Sequence, residues 1–208
     1  MYEADSRLSE PMALRVNRVI AIAAVILLVT VVSPSQAKEF QSSWEVVESG
    51  TSEDLLTAAI FDGQVWAFGT GGVMLNSSNN GVTWEIADSP TNTDIHHSDS
   101  GFGSLLIAGD SGLMLFKQDS DSEWLDISLP LGSEVNGVSL IGGHNVVAVG
   151  DQGTIWKYDT GVWEVISLTI ESDLMAVSFV DEELGIVVGS GGTILFSDDG
   201  GENWDYRE

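Results

Sequence analysis

Apolar residues follow two patterns along this chain. Near the start, Val19 to Val32 reads VIAIAAVILLVTVV, fourteen residues without a charge. Beyond residue 50 the apolar positions fall into short runs that stop at a glycine, such as VWAF before Gly69 and VVAV before Gly150. Runs of four to six residues rich in Val, Ile, Leu and aromatics predict strands, because a helix needs ten or more residues to carry a buried face.

These runs recur with a fixed period. Four segments align: Val65 to Trp84, Leu105 to Trp124, Val146 to Trp163 and Gly185 to Trp204. Gly69, Gly109, Gly150 and Gly189 are spaced 40, 41 and 39 residues apart, and Gly72, Gly112, Gly153 and Gly192 keep the same spacings. Trp44, Trp84, Trp124, Trp163 and Trp204 follow at 40, 40, 39 and 41. The two residues between each glycine pair have the length and chemistry of a tight hairpin. An upstream run (LLTAAIF, EVNGVSLI, DLMAVSFV) adds a first strand, and the stretch after each Trp (WEIA, WLDI, WEVI, WDYR) adds a fourth. Four antiparallel strands in about 40 residues make one propeller blade. The chain is therefore read as all-β, a β-propeller of about four four-stranded blades over residues 52–208. Residues 38–51 form an N-terminal strand and linker. The strand at Trp44 either adds to an outer edge, or the ring is open and needs partners or further blades; a homo-oligomer through the first and last blades is the simplest repair.

Each repeat also carries a turn between its third and fourth strands. Ser197, Asp199, Gly201 and Trp204 stand in the order S-x-D-x-G-x-x-W. The Asp can accept backbone N–H bonds, the Gly supplies a positive φ, and the Trp packs under the turn. Ser77, Asn79, Gly81 and Trp84 repeat it with Asn for Asp; Asp119 and Trp124 lose the Ser and the Gly; Asp159, Gly161 and Trp163 form a copy one residue shorter. This is the Asp-box of sialidase-type repeat proteins. With VVGSGGTILFSDDGGENW and the preceding AVGDQGTIW, the chain resembles the photosystem II assembly and stability factor family of Asp-box propellers. The resemblance covers roughly residues 44–208. It implies a secreted or lumenal propeller that binds a protein client and has no catalysis or cofactor of its own. The family has seven blades and its photosynthetic members carry a basic client-binding patch, whereas this chain has four repeats.

The apolar N-terminal run changes the expected compartment. Arg15 and Arg18 precede it, Pro34 follows, and Ser35 and Ala37 occupy the positions before a cleavage point ahead of Lys38. Residues 1–37 thus read as a signal peptide, with Met12 as an alternative start. The run is short for a transmembrane helix, although an uncleaved peptide would anchor the chain. The propeller is expected outside the cytoplasm, without stable membrane insertion once the peptide is removed.

Charge narrows the partners. The 208 residues hold 7 Lys and Arg against 32 Asp and Glu, a net charge of −25, and no Cys. Past residue 37 only Lys38, Lys117, Lys157 and Arg207 are basic. Such a charge repels nucleic-acid phosphates and anionic lipid headgroups, so neither nucleic acid nor polybasic-type membrane docking is expected. Disulfides and thiolate chemistry are excluded by the absence of Cys. A sialidase grips its substrate carboxylate with three arginines, and one arginine cannot build that triad.

Few residues remain for other chemistry. His96 and His97 fall on the expected innermost strand of the second repeat, where one of them can face Asp94 or Asp99 as a carboxylate–histidine metal site; a degenerate, partly exposed strand is the simpler reading, and no metal is assigned. His144 reads as a turn residue. Asp119 with Asp121 and Asp198 with Asp199 look like fragments of calcium loops, but the Asp-box accounts for Asp119 and Asp199. Trp66 and Trp156 stand outside the repeat register, as inter-blade core or as exposed binding aromatics. The function expected is a non-catalytic, extracytoplasmic protein-binding or assembly module. The alternative is a carbohydrate-binding or glycosidase-like propeller.

Overall fold

Sixteen strands succeed one another through residues 46–130 and 132–206, the part of the chain that the computed structural model describes. The signal-peptide expectation, Trp44 and Arg207 fall outside the described residues. Blade 1 comprises β1 (Leu55–Phe61), β2 (Gln64–Gly69), β3 (Met74–Ser77) and β4 (Glu85–Ile86). Blade 2 comprises β5 (Ile95–Gly101), β6 (Ser104–Gly109), β7 (Met114–Lys117) and β8 (Leu125–Asp126). Blade 3 comprises β9 (Val135–Ile141), β10 (Asn145–Gly150), β11 (Thr154–Asp159) and β12 (Val162–Ser167). Blade 4 comprises β13 (Leu174–Phe179), β14 (Gly185–Gly189), β15 (Ile194–Ser197) and β16 (Asp205–Tyr206). Each blade is an antiparallel meander in chain order, as the repeat predicts.

Successive blades stack face to face, which explains their unbroken apolar runs. Neighbouring residues of a strand point to opposite faces, and both faces of an inner blade meet another blade. Leu105, Ile107 and Leu115 meet Phe61, Phe68 and Met74 of blade 1. On the other face, Leu106, Ala108, Met114 and Phe116 meet Val138, Leu140, Val146 and Ala148 of blade 3. Ile141, Val147, Val149 and Ile155 then meet Leu174, Val177, Val187 and Leu195 of blade 4. Among the described residues nothing comparable covers the far face of blade 4, where Ile186, Val188 and Ile194 are exposed.

The innermost strands β1, β5, β9 and β13 lie side by side in that order. β13 makes no comparable contact with β1, so the four blades form an arc open on that side. Side chains join the inner strands in place of a backbone ladder. Thr57 and Ser98 share a hydroxyl hydrogen bond of 2.7 Å. Asp99 accepts the Leu140 N–H at 2.8 Å and the Ser139 hydroxyl at 3.2 Å. The Ser139 oxygen in turn accepts the Phe179 N–H at 3.1 Å.

The first glycine of each repeat is required by space. At Gly69 a Cβ would lie 1.7 Å from the Asp54 carbonyl oxygen, and at Gly109 it would lie 1.9 Å from that of Asp94. Blade 3 differs at its outer edge. Its shorter third hairpin turns at Thr160 and Gly161, both with positive φ, as a two-residue hairpin demands. With no longer loop to span, β11 pairs with β12 over six residues, whereas β4, β8 and β16 have two residues each.

Candidate functional site

One end of the arc gathers acids through the repeat itself. Asp54, Asp94, Glu134 and Asp173 each stand directly before an innermost strand. The backbone oxygens of the three aspartates hold the turn after the second strand: the Asp54 oxygen accepts the Thr70 N–H at 2.9 Å, that of Asp94 the Asp110 N–H at 3.1 Å, and that of Asp173 the Ser190 N–H at 2.8 Å. Two of their side chains clasp the preceding blade. Asp94 accepts the Gly71 N–H at 2.7 Å and Asp173 accepts the Gln152 N–H at 3.1 Å.

The same end holds His96 and a further pair of acids. In every blade the register slips once in the first strand, leaving Leu56, His96, Asn136 and Met175 out of the ladder. Such bulges re-aim a side chain. His96 Nε2 lies 2.7 Å from Asp110 Oδ1, and the Asn136 amide donates to Asp151 at 2.8 Å and to the Leu174 carbonyl at 2.9 Å. His97 is half-buried, and burial with the neighbouring His96 charge lowers its pKa, opposed by a hydrogen bond to the Val135 backbone. The cluster of Asp94, His96 and Asp110 thus joins one histidine singled out in the sequence to an acid, Asp110, that sequence reading passed over. The available signal was the acid directly after the first repeat glycine in two of the repeats, Asp110 after Gly109 and Asp151 after Gly150.

The opposite end carries the Asp-box turns. In blade 4 the Ser197 hydroxyl donates to Asp199 at 2.9 Å and its oxygen accepts the Gly201 N–H at 2.8 Å. Asp199 also accepts the Asn203 N–H at 3.0 Å. These bonds hold the Asp199 carboxyl below the ordinary aspartate range, the backbone N–H of Asn203 first among them. Blade 1 repeats the network with an amide: Ser77 donates to Asn79 at 3.0 Å, Gly81 N–H reaches Ser77 at 2.9 Å, and Thr83 N–H reaches Asn79 at 2.9 Å. In blade 2, Lys117 stands in place of the Ser, with its ammonium on the Ser122 carbonyl and 5.7 Å from the Trp124 ring centroid. Asp119 there accepts the Ser122 N–H at 2.7 Å. Asp159 ends β11 at the tight blade 3 hairpin, and Gly161 is the second residue of its turn.

Three of the Asp-box tryptophans, Trp124, Trp163 and Trp204, pack on the cores between blades. Trp163 donates to the Ile127 carbonyl of blade 2 at 2.6 Å, and Trp204 packs edge-on against Phe179 with centroids 5.7 Å apart. Trp124 packs on the core between blades 1 and 2. Trp84 lies under Gly81. Of the tryptophans outside the register, Trp156 packs on the core between blades 2 and 3. Trp66 stacks on Phe68 at 6.1 Å and also lines a groove of about 370 Å³ with Gln64, Asn76, Glu85 and Asp121. Its Nε1 is buried without a hydrogen-bond partner.

Four stacked blades with Asp-box turns define this chain as a β-propeller of the sialidase-repeat type. A model of the family described as photosynthesis system II assembly factor YCF48 matches residues 157–208, which bears out the resemblance read in the repeats. Among solved structures, YCF48 from Cyanidioschyzon merolae is similar with a TM-score of 0.60 at 13% identity, over 79% of this chain and 62% of that one. A structure described as YCF48 bound to D1 peptide is similar with a TM-score of 0.55 at 14% identity, over 78% of this chain and 84% of that one. The chain thus spans less than two thirds of the Cyanidioschyzon protein's length. No curated protein sequence matches it. No helix of the described residues is long and apolar enough to cross a membrane.

Proposed function

We propose that this chain is a non-catalytic, extracytoplasmic binding module whose acidic end holds a basic segment of a protein client, in the manner of an assembly factor. The observation that carries this reading is the repeated placement of Asp54, Asp94, Glu134 and Asp173 before the innermost strands, joined by Asp110 and Asp151. The described lysines are engaged elsewhere, Lys117 with the Ser122 carbonyl and Lys157 with Glu202. Acids gathered without neighbouring lysines attract cationic groups and speed their arrival. The family match over residues 157–208 supports the module class, and a YCF48 structure described as bound to D1 peptide supports a peptide as the kind of client. The apolar run of residues 19–32 supports export.

The test is fluorescence anisotropy with a labelled Lys- and Arg-rich peptide and an acidic peptide of equal length. The basic peptide is expected to bind, more weakly as salt rises, and a Glu134→Gln, Asp151→Asn variant to bind it several-fold less. Equal binding by the variant would remove the acidic end as the site. The carbohydrate reading keeps one observation, the unpartnered Trp66 Nε1 beside the polar side chains of its groove. A saccharide that quenches tryptophan fluorescence in the natural chain and not in Trp66→Phe would favour it.

A further inference from the structure

We propose that Asp94, His96 and Asp110 bind one divalent transition-metal ion of the zinc class. One imidazole nitrogen and two carboxylate oxygens from these residues lie within 4.8 Å of one another. That donor set suits zinc and its neighbours, whereas calcium asks for six or more oxygens. On a tetrahedral zinc the ligand atoms stand about 3.4 Å apart, so the site closes by movements on the order of 1 Å. The contact that has to open is His96 to Asp110, now 2.7 Å, and Asp110 is exposed and free to turn.

Three features hold the donors ready. The Asp110 N–H is bonded to the Asp94 carbonyl at 3.1 Å, which ties two of the ligand residues together through the backbone. Asp94 Oδ1 is taken by the Gly71 N–H at 2.7 Å, which orients the carboxylate and leaves its other oxygen for the ion. The bulge between Ile95 and His97 takes His96 out of strand pairing and sends its ring toward the turn.

The other blades provide an internal comparison. The equivalent positions are Asp54, Leu56 and Thr70 in blade 1, Glu134, Asn136 and Asp151 in blade 3, and Asp173, Met175 and Ser190 in blade 4. Blade 3 has both acids, but the Asn136 amide occupies the place of the imidazole and closes the arrangement with a hydrogen bond of 2.8 Å to Asp151. Among the four repeats, blade 2 is the one where all three positions can coordinate. An ion there would fasten β5 to its turn, and through Gly71 to blade 1. The proposal is independent of a peptide client, because its donors are three named side chains and its ligand is an ion.

The experiment is calorimetric titration of the untagged, chelator-treated chain with zinc chloride in excess magnesium, which occupies diffuse acidic sites. One zinc per chain is expected. His96→Asn should weaken binding at least about tenfold while preserving the fold, since Asn136 shows that an amide fits this position. His96→Asn removes the imidazole donor and leaves every acid of the −25 chain in place, so their general attraction for cations is kept. Asp110→Asn, at an exposed position, should weaken binding as well and serves if His96→Asn does not fold. Cobalt(II) in place of zinc should shift the ring resonances of His96 and leave those of His144 in place. Equal zinc affinity in the natural chain and the variants, no zinc uptake, or a shift at His144 alone would overturn the proposal.

Discussion

Gly72 and Gly63 have nearly the same left-handed backbone, with φ of +73 and +72. Their surroundings differ, and that separates strain from crowding. A Cβ on Gly63 meets nothing within 4 Å, while one on Gly72 would lie 2.3 Å from the Thr91 carbonyl oxygen. Gly63→Ala is expected to cost about 1 kcal/mol, the ordinary penalty of a left-handed alanine. Gly72→Ala should cost several-fold more, because the chain entering blade 2 has to move; urea unfolding of both variants measures the difference. Asp199 supplies a second test at this scale. Its folded pKa is lowered by hydrogen bonds to Asn203, so its contribution is present above the ordinary aspartate pKa and is lost as pH falls through the lower folded value. Asp199→Asn should fold, since Asn79 in blade 1 accepts the same bonds from the Ser hydroxyl and from the backbone N–H four residues on, and should flatten the acid side of the stability profile. Parallel profiles for the two proteins would mean that other acids set that slope.

Within an element, the faces of one strand have different fates. Val187 of β14 is fully buried against blade 3, whereas Ile186 beside it is 44% exposed on the uncovered face. Val187→Ala is expected to cost about 1 to 3 kcal/mol, and Ile186→Ala well under half of that despite its larger loss of side chain. Equal losses in urea unfolding would show that the far face of blade 4 is covered in solution. The outer strands differ as well. β12 pairs over six residues, and β4, β8 and β16 over two. Amides of β12 should therefore exchange with deuterium more slowly than those of the other outer strands. Its protection comes from replacing an Asp-box loop with a two-residue turn.

Across the whole molecule the dominant quantity is charge. Thirty-two acids against seven bases leave little chance of pairing, and a propeller interior has no place for carboxylates, so they share the surface. At physiological salt the Debye length is about 8 Å, comparable to the spacing such crowding forces, and at 1 M it is about 3 Å. The melting temperature should therefore rise steadily with sodium chloride. A rise that saturates at low calcium chloride while sodium has no effect would point to a specific calcium site instead.

The sequence by itself determined the strands, their number per repeat and the blade as their unit. Those follow from local pattern: apolar alternation, glycines where backbones touch, and the Ser, Asp or Asn, and Gly of the turns, each bonded within five residues of itself. Asn79 of blade 1 accepts the Thr83 N–H as Asp199 accepts that of Asn203, since an amide oxygen accepts the same N–H bonds as a carboxylate. Tertiary structure decided what depends on distant pieces of chain meeting. The clasp of Asp99 on Leu140, the joining of His96 to Asp110 through a bulge, and the open face of Ile186 and Val188 all arise that way. A one-residue slip in the ladder turns a side chain from one face to the other, and nothing in the local order of TDIHHSDSG marks where that slip falls.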